Sequence, residues 1–328
     1  MVAAKDAKQW AADNVVGLFA SPLTTFDDEF NLKLDGLVDN VHKILDIGVE
    51  GMGYGHSEPW TLSHEERRIS AQAFVDAVGG KAITYVHAHD HSAPESVAFT
   101  NHAAEIGADL AMLEVPYEHA KSDQMIYEYF KYVADRTDIG IIVLNTPHSG
   151  RLLSPELLDR IADLEPVCAL KDGINDFTLH VAITRRVGDR MVCSLPREEE
   201  AIPCVMYLNQ QVQLGSSAFY LLQDADWHPV REYLQLAKSG EFEKAWEIFS
   251  ALAPLRQVWI DMIKPLWGEF PEHPIATQKV WMDAIGMYGG PVRSPMRNHG
   301  VAERAGWTKR ILETREQVRA HPALVNIS

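Results

Sequence analysis

The stretch VCALKDG, residues 167–173, begins with a short apolar run that is followed directly by Lys171. Its length and the glycine that follows are typical of a strand buried within a parallel sheet. A lysine at the end of such a strand has two interpretations. The amine reaches solvent or pairs with Asp172, or it loses its hydration in an apolar site. Loss of hydration favours the neutral amine, a nucleophile that attacks ketones to form Schiff bases.

This run is one of eight short apolar runs, each of which predicts a strand. The eight runs are Val15–Leu23, Val49–Tyr54, Lys81–His87, Leu110–Pro116, Ile139–Leu144, Val167–Leu170, Met191–Leu195 and Val212–Phe219. Segments with helical spacing, such as Leu34–Ile47 and Ala93–Ile106, lie between them. Strands that alternate with helices over short connections predict a parallel sheet covered by helices. Eight such units predict an α/β fold, the (β/α)8 TIM barrel. No glycine-rich phosphate fingerprint follows the first run, which disfavours a doubly wound sheet.

The sequence changes character after Phe219, where the alternation of strand and helix stops. Four further helices are predicted there: Val230–Lys238, Phe242–Ile263, Thr277–Ile285 and Ala302–His321. We therefore expect two parts, a barrel over residues 1–224 and a C-terminal helical extension over residues 225–328 that packs on the barrel.

Composition excludes several classes of function. Acidic residues outnumber basic ones by 46 to 30, for a net charge of −16, and this argues against nucleic-acid binding, which needs clustered Lys and Arg. No apolar stretch of membrane-spanning length is present, and the polar N-terminus does not predict a signal peptide. The cysteines Cys168, Cys193 and Cys204 lack zinc-ligand spacing and are interpreted as small buried residues. A reducing, cytoplasmic setting fits them best.

Residues that can carry chemistry gather where the predicted strands end, which is the catalytic face of a parallel barrel. At or just after the strand ends lie Gly55, His56, Ser57, His87, His89, His91, Tyr117, Glu118, Asn145, His148, Lys171 and Ser216.

The alternating histidines His87, His89 and His91 raise a metal hypothesis. In extended conformation they would share one face, and imidazoles so placed bind zinc. Barrels of the metal-dependent amidohydrolases, however, carry their histidine pair on the first strand, and this sequence has no His-x-His there. The other interpretation is that these histidines line the barrel mouth as hydrogen-bonding or acid–base groups. His180 falls within a helical pattern and is predicted to lie on the surface.

Five pieces of sequence, in order, resemble one family. They are Pro22-Leu23-Thr24 with Phe26-Asp27, the segment 55–63 (GHSEPWTLS), Asn145-Thr146-Pro147, Leu170-Lys171-Asp172, and the C-terminal series Pro274…Lys279…Gly286…Gly290-Pro291-Val292-Arg293-Ser294-Pro295. From about Val15 to about Met296 the chain is similar to the dihydrodipicolinate synthase/N-acetylneuraminate lyase family. The resemblance implies a class I aldolase-type barrel that acts on pyruvate or other 2-oxo acids. It also implies Lys171 as the Schiff-base lysine, no cofactor and a homotetramer.

Departures from the family pattern concern proton transfer. Leu144 stands where the family usually has a tyrosine that relays protons. Gly55 and His56 stand in place of two threonines that bind the substrate carboxylate and complete that relay. Glu118, preceded by Tyr117, stands in place of a tyrosine lent by a neighbouring subunit. We therefore expect a divergent member, neither a typical dihydrodipicolinate synthase nor a sialic acid lyase.

The resulting prediction is a Schiff-base lyase acting through Lys171 on a 2-oxo acid such as pyruvate or a pyruvate adduct. It would be an aldolase, a hydratase-aldolase or a dehydratase. His56, His148 and Glu118 are the predicted proton-transfer groups. The predicted substrate-binding residues are Gly55, Ser57, Asn145, His87, His89, Tyr117 and Ser216. Two alternatives stay open: a metal-dependent hydrolase built on the histidine cluster, and a non-catalytic ligand-binding relative.

Overall fold

The computed structural model describes residues 2–116, 122–215, 217–267 and 274–327, with only the backbone for residues 263–267. The chain divides into two compact units. The first consists of Met1–Phe19, Glu50–Tyr54 and Gly79–Ser216, and the second of Ala20–Val49, Gly55–Val78 and Ser217–Ser328. The division at residue 224 stays a prediction.

Eight parallel strands form a nearly closed barrel, which confirms the predicted fold. They are β1 (Gly17–Ala20), β2 (Gly51–Tyr54), β3 (Ile83–His87), β4 (Leu110–Glu114), β5 (Gly140–Asn145), β6 (Val167–Asp172), β7 (Val192–Ser194) and β8 (Val212–Leu214). Their order around the sheet is β7-β6-β5-β4-β3-β2-β1-β8, so consecutive strands are neighbours and β8 lies beside β1.

A serine side chain joins β7 to β8. The Ser194 hydroxyl donates a hydrogen bond to the Val212 carbonyl at 3.1 Å and accepts one from the Leu214 amide at 2.9 Å. Just beyond β7, the Gln210 side-chain oxygen accepts a hydrogen bond of 2.9 Å from the Leu195 amide. Side chains thus hold these two strands where the sheet closes.

Helices alternate with the strands and continue beyond β8. They are α1 (Ala7–Asn14), α2 (Leu34–Asp46), α3 (His64–Val78), α4 (Ala93–Glu105), α5 (Asp123–Ala134), α6 (Pro155–Ala162), α7 (Phe177–Val187), α8 (Ala201–Leu208), α9 (Ala218–Leu221), α10 (Pro229–Lys238), α11 (Phe242–Ala251), α12 (Ala253–Trp267), α13 (Ile275–Ala284) and α14 (Val301–Arg319). Among the residues described, none of these helices combines the length and apolar character needed to cross a bilayer.

The single helix predicted over Phe242–Ile263 is wrong, because the structure has two helices, α11 and α12, separated at Leu252. Pro254 lies in the first turn of α12. Proline lacks the amide hydrogen that would continue the preceding helix and is tolerated at a helix start. The proline therefore accounts for the break.

Two glycines of β2 leave room for aromatic rings inside the barrel. A Cβ on Gly51 would lie 2.0 Å from a ring carbon of Phe19, and one on Gly53 would lie 1.8 Å from a ring carbon of Tyr85. Phe19 and Tyr85 are both fully buried in the core cluster of the barrel. Aromatic rings from the neighbouring strands β1 and β3 thus occupy the space that side chains at these two positions of β2 would need.

A bulge in β6 decides which way its last residues point. Ile141 of β5 pairs with Val167, but Ile142 pairs with Ala169, so Cys168 is an extra residue on β6. An extra residue reverses the in–out alternation beyond it. After the bulge, Ala169 and Lys171 share a face with Ile142 and Leu144, which belong to the interior core.

In the second unit, an ionic cluster surrounds Phe26. Buried Lys279 lies 3.5 Å from Glu58, donates a hydrogen bond of 2.9 Å to the Pro291 carbonyl and stands 4.8 Å from the centre of the Phe26 ring. The Arg293 guanidinium lies 4.4 Å from the same ring centre and binds Glu66 with two hydrogen bonds of 2.9 and 2.8 Å. Several motif residues of the resemblance are therefore structural within this unit.

Candidate active site

Lys171 is buried in the barrel interior with 6% of its surface exposed. Its register partners are Leu144 on β5 and Ser194 on β7. Its Nζ donates a hydrogen bond of 2.5 Å to the Gly215 carbonyl beyond β8. Burial lowers the pKa of the Lys171 amine to about 7, although the negative charge of Glu114 acts in the opposite direction. The amine is therefore largely neutral slightly above neutral pH, as a Schiff-base nucleophile requires.

Glu114, at the end of β4, is a site residue that the sequence analysis missed. It is 3% exposed and lies opposite Leu144 in the β4–β5 register. Its carboxylate accepts hydrogen bonds from His87 Nε2 at 3.1 Å and from Ser149 Oγ at 2.8 Å. Burial alone would raise the pKa of Glu114, but His87, His89 and Ser149 together lower it to about 2. Glu114 is thus a fixed negative charge inside the barrel.

The predicted histidine cluster is divided between different partners. His87 belongs to β3 and binds Glu114, whereas His89 lies beyond the strand, with Nδ1 3.2 Å from the Tyr129 hydroxyl. That hydroxyl is also hydrogen-bonded to Ser96 at 2.8 Å. The His87 and His89 ring centres lie 5.8 Å apart.

The hydrolase alternative requires a set of metal ligands. Within the described ranges of the chain, no group of three or more His, Cys, Asp or Glu side chains is placed to hold a metal ion. His91 is exposed, beyond the end of β3. His87 and His89 act in this structure as hydrogen-bonding groups.

Asn145 and Asp172 lie on the face opposite to Lys171. The Asn145 amide donates a hydrogen bond of 2.8 Å to Asp172, and its oxygen accepts one of 2.9 Å from the Leu153 amide. Asp172 also lies 2.7 Å from His180 Nδ1. His180 is fully buried, so its predicted surface position is wrong. The contact of Asn145 with substrate stays a prediction, as its described bonds are structural.

His148 lies exposed in a short 3₁₀ turn after β5, beside buried Ser149. Enough protein surrounds the ring for desolvation to lower the pKa of His148, while the charge of Glu114 acts in the opposite direction. The predicted residue His148 and the unpredicted residue Glu114 therefore influence each other electrostatically.

The remaining predicted site residues belong to the second unit or fall outside the described residues. Gly55, His56 and Ser57 belong to the second unit, where Gly55 has a left-handed φ of 91° that favours glycine. Tyr117, Glu118 and Ser216 lie outside the described residues.

Comparisons with known proteins support the family inferred from the sequence. The sequence model described as the dihydrodipicolinate synthetase family matches residues 14–305. A 4-hydroxy-tetrahydrodipicolinate synthase from Methanothrix thermoacetophila is 26% identical over 85% of this chain and 90% of that protein. A probable 5-dehydro-4-deoxyglucarate dehydratase from Bacillus licheniformis is 27% identical over 57% of this chain and 61% of that protein.

A solved structure shows the same fold. The crystal structure of dihydrodipicolinate synthase from Oceanobacillus iheyensis superposes with a TM-score of 0.79 at 19% identity, covering 95% of this chain and all of that one (100%). The resemblance inferred from five motif pieces is therefore confirmed across most of the chain.

Proposed function

Because the chain belongs to the dihydrodipicolinate synthetase family, we propose that it is a lyase that forms a Schiff base between Lys171 and a 2-oxo acid. Enzymes of this family are class I aldolase-type lyases that use a lysine and no cofactor. The substrate class is pyruvate or a pyruvate adduct. The observation that carries the proposal is a buried interior lysine whose pKa is lowered to about 7 by burial.

The chemistry starts with attack of the neutral Lys171 amine on the ketone carbon. The carbonyl oxygen takes up a proton and leaves as water after a second proton transfer, and the nitrogen keeps one proton as an iminium. The iminium then accepts the electron pair of a neighbouring C–C bond as that bond breaks, or of an α C–H bond as a base removes its proton, and either step leaves an enamine. After C–C cleavage the enamine carbon is protonated. In a dehydration the enamine instead returns its electron pair and expels the β-hydroxyl, which takes up a proton and leaves as water. Addition of water to the resulting iminium releases the product and restores the amine.

Proton transfer and substrate binding are assigned by residue type and position. We propose His148, His56 and Glu118 as acid–base groups in place of the family tyrosine. The backbone amides around His56 and Ser57 suit a substrate carboxylate, because amide-lined loops before helices favour anions, and Gly55 and Ser57 leave room for its close approach. His87, His89, Tyr117, Asn145 and Ser216 complete the proposed substrate-binding set.

The decisive experiment is reductive trapping. The protein is incubated with pyruvate, reduced with borohydride and digested, and the peptide that carries the added mass is identified. We expect labelling on Lys171 and none in Lys171→Met. Lys279, a second buried lysine held by Glu58 and the Pro291 carbonyl, serves as the internal control. No label on Lys171 with any of a panel of 2-oxo acids would contradict the proposal.

The reaction type is tested with the same panel. Substrates that carry a hydroxyl β to the ketone, as both aldol cleavage and dehydration require, are incubated with the protein, and released aldehyde or water-loss product is measured. Turnover of either kind supports a lyase. Labelling of Lys171 without any turnover would favour a ligand-binding relative.

Assembly and location are also proposed. The family resemblance favours a homotetramer, which light scattering after gel filtration would measure. Cys168, Cys193 and Cys204 are free thiols, and burial raises the pKa of Cys168 and of Cys204 to about 12. Unpaired cysteines favour a reducing, cytoplasmic compartment.

A further inference from the structure

Given the Schiff-base chemistry proposed above, we propose that the Glu114 carboxylate is the counter-ion of the iminium formed on Lys171. Glu114 lies opposite Leu144, and Leu144 lies opposite Lys171, so the acid and the lysine stand at one level of the barrel, two strands apart. Two strand spacings amount to about 10 Å between backbones. Both side chains are long and interior, which brings their charges closer than that.

The surroundings of the Glu114 carboxylate favour its ionised form. His87 Nε2 and Ser149 Oγ each donate to a different carboxylate oxygen, at 3.1 and 2.8 Å. Hydrogen bonds to the charged form of a carboxylate favour that form. A buried charge is costly unless it is paired. A permanent anion in this apolar interior is therefore useful where the reaction creates a cation.

The iminium is such a cation. Conversion of a neutral amine to an iminium adds a positive charge in a site from which water is largely excluded, and a nearby fixed anion stabilises that charge. Conversion of an ammonium to an iminium leaves the charge unchanged. Glu114 should therefore strengthen the adduct only at a pH at which the free amine is neutral.

Charged and titratable groups face this site from several strands. They are Glu114 on β4, His87 on β3, His89 beyond β3 and His148 beyond β5, whereas β5 and β7 present Leu144 and Ser194 at the level of Lys171. Titration of one of these histidines would change adduct formation near the pKa of that histidine, both in the unmodified protein and in a variant without the charge at residue 114. A comparison of variants that differ only at residue 114 isolates the carboxylate.

The test compares Glu114→Gln with the unmodified protein. The fraction of Lys171 trapped by rapid borohydride quench is measured against pyruvate concentration at about pH 5 and about pH 9. Removal of the charge lowers the pKa of the lysine by about one unit, so the adduct of Glu114→Gln weakens about tenfold at high pH. At low pH both proteins should bind pyruvate equally.

Glu114→Asp is the matched control, since it keeps the charge but moves it farther from Nζ by one methylene. At high pH we expect the strength of its pyruvate adduct to lie between that of the unmodified protein and that of Glu114→Gln. Should Glu114→Gln fail to fold, a weakening of Glu114→Asp confined to high pH supports the counter-ion.

Two results would overturn the inference. Equal weakening of the adduct at both pH values would mean that Glu114 serves only to position His87. No weakening at high pH would mean that the Glu114 charge does not stabilise the iminium. If the unmodified protein forms no adduct on Lys171 at either pH, the Schiff-base proposal itself fails, which is a distinct outcome.

Discussion

Leu144 is the register partner of Lys171, so the neighbouring strand presents an apolar side chain at the level of the amine. The position at which the family resemblance implies a proton-relaying tyrosine thus adds to the dehydration of the lysine. A neutral amine results near neutral pH, and the groups that move protons must stand at positions other than 144.

Formation of the Schiff base should depend on pH with a midpoint near the pKa of Lys171, which burial lowers to about 7. The neutral amine is the attacking form, so the rate of trapping should rise as the pH increases through about 7 and then level off. An unperturbed lysine would give a rise near pH 10.4 instead. Initial trapping rates across this range measure it, and a rate that still climbs steeply above about pH 9 would contradict the prediction.

Lys171→Met should abolish adduct formation and increase stability. A methionine of similar length fills the interior without the cost of desolvating a charge. Replacement of buried ionic groups by apolar ones is often stabilising by about 1–4 kcal/mol. Urea denaturation measures the free energy of unfolding. A clear loss of stability would mean that the Lys171 hydrogen bond to Gly215 outweighs desolvation.

The ion pair between Lys279 and Glu58 should show strong coupling. Lys279→Met or Glu58→Gln alone leaves a buried group without its partner, which costs about 3–5 kcal/mol. The double variant should cost less than the sum of the two, with a coupling energy of about 1–3 kcal/mol. Denaturation of the four proteins completes the cycle, and strictly additive losses would show that the two residues act separately.

Gly53→Ala should destabilise the barrel by about 1–3 kcal/mol, the usual cost of overpacking. Its Cβ would lie 1.8 Å from the ring of Tyr85, which is itself fully buried in the core cluster. Gly306→Ala is the control, because among the described residues no atom other than those of the local helix backbone lies within 4 Å of the Cβ added at this exposed position of α14. That change should stabilise by about 0.5–1 kcal/mol, since alanine favours helix. Equal effects at the two positions would contradict the packing argument.

The barrel could be predicted from the sequence because all eight strands are signalled by apolar runs with glycine or proline near their ends. The repeat of strand and helix restricts the topology, and the end of each strand is then a candidate site. Lys171 was found in this way. The lysine was conspicuous because the residues before it are apolar.

Glu114 was overlooked within the apolar run Leu110–Pro116, although it ends β4 as Lys171 nearly ends β6. The signal in the sequence is that Glu114 follows Leu110 and Met112 at alternate positions, so that it shares one face of the strand with them. His180 carried a signal too, since Ile183 and Val187 lie three and seven residues further along the same helical face and are buried with it. The bulge at Cys168, by contrast, depends on strand pairing, which no local pattern reports.

That single extra residue has an evolutionary consequence. Side chains in a strand face in or out by parity, so the same residues paired with β5 without the bulge would place Leu170 opposite Leu144 and turn the Lys171 amine toward the surrounding helices. Two relatives could then share the lysine in an alignment while only one of them holds it where a ketone can reach it. For this barrel, the strand pairing that precedes the nucleophile matters as much as the identity of the nucleophile.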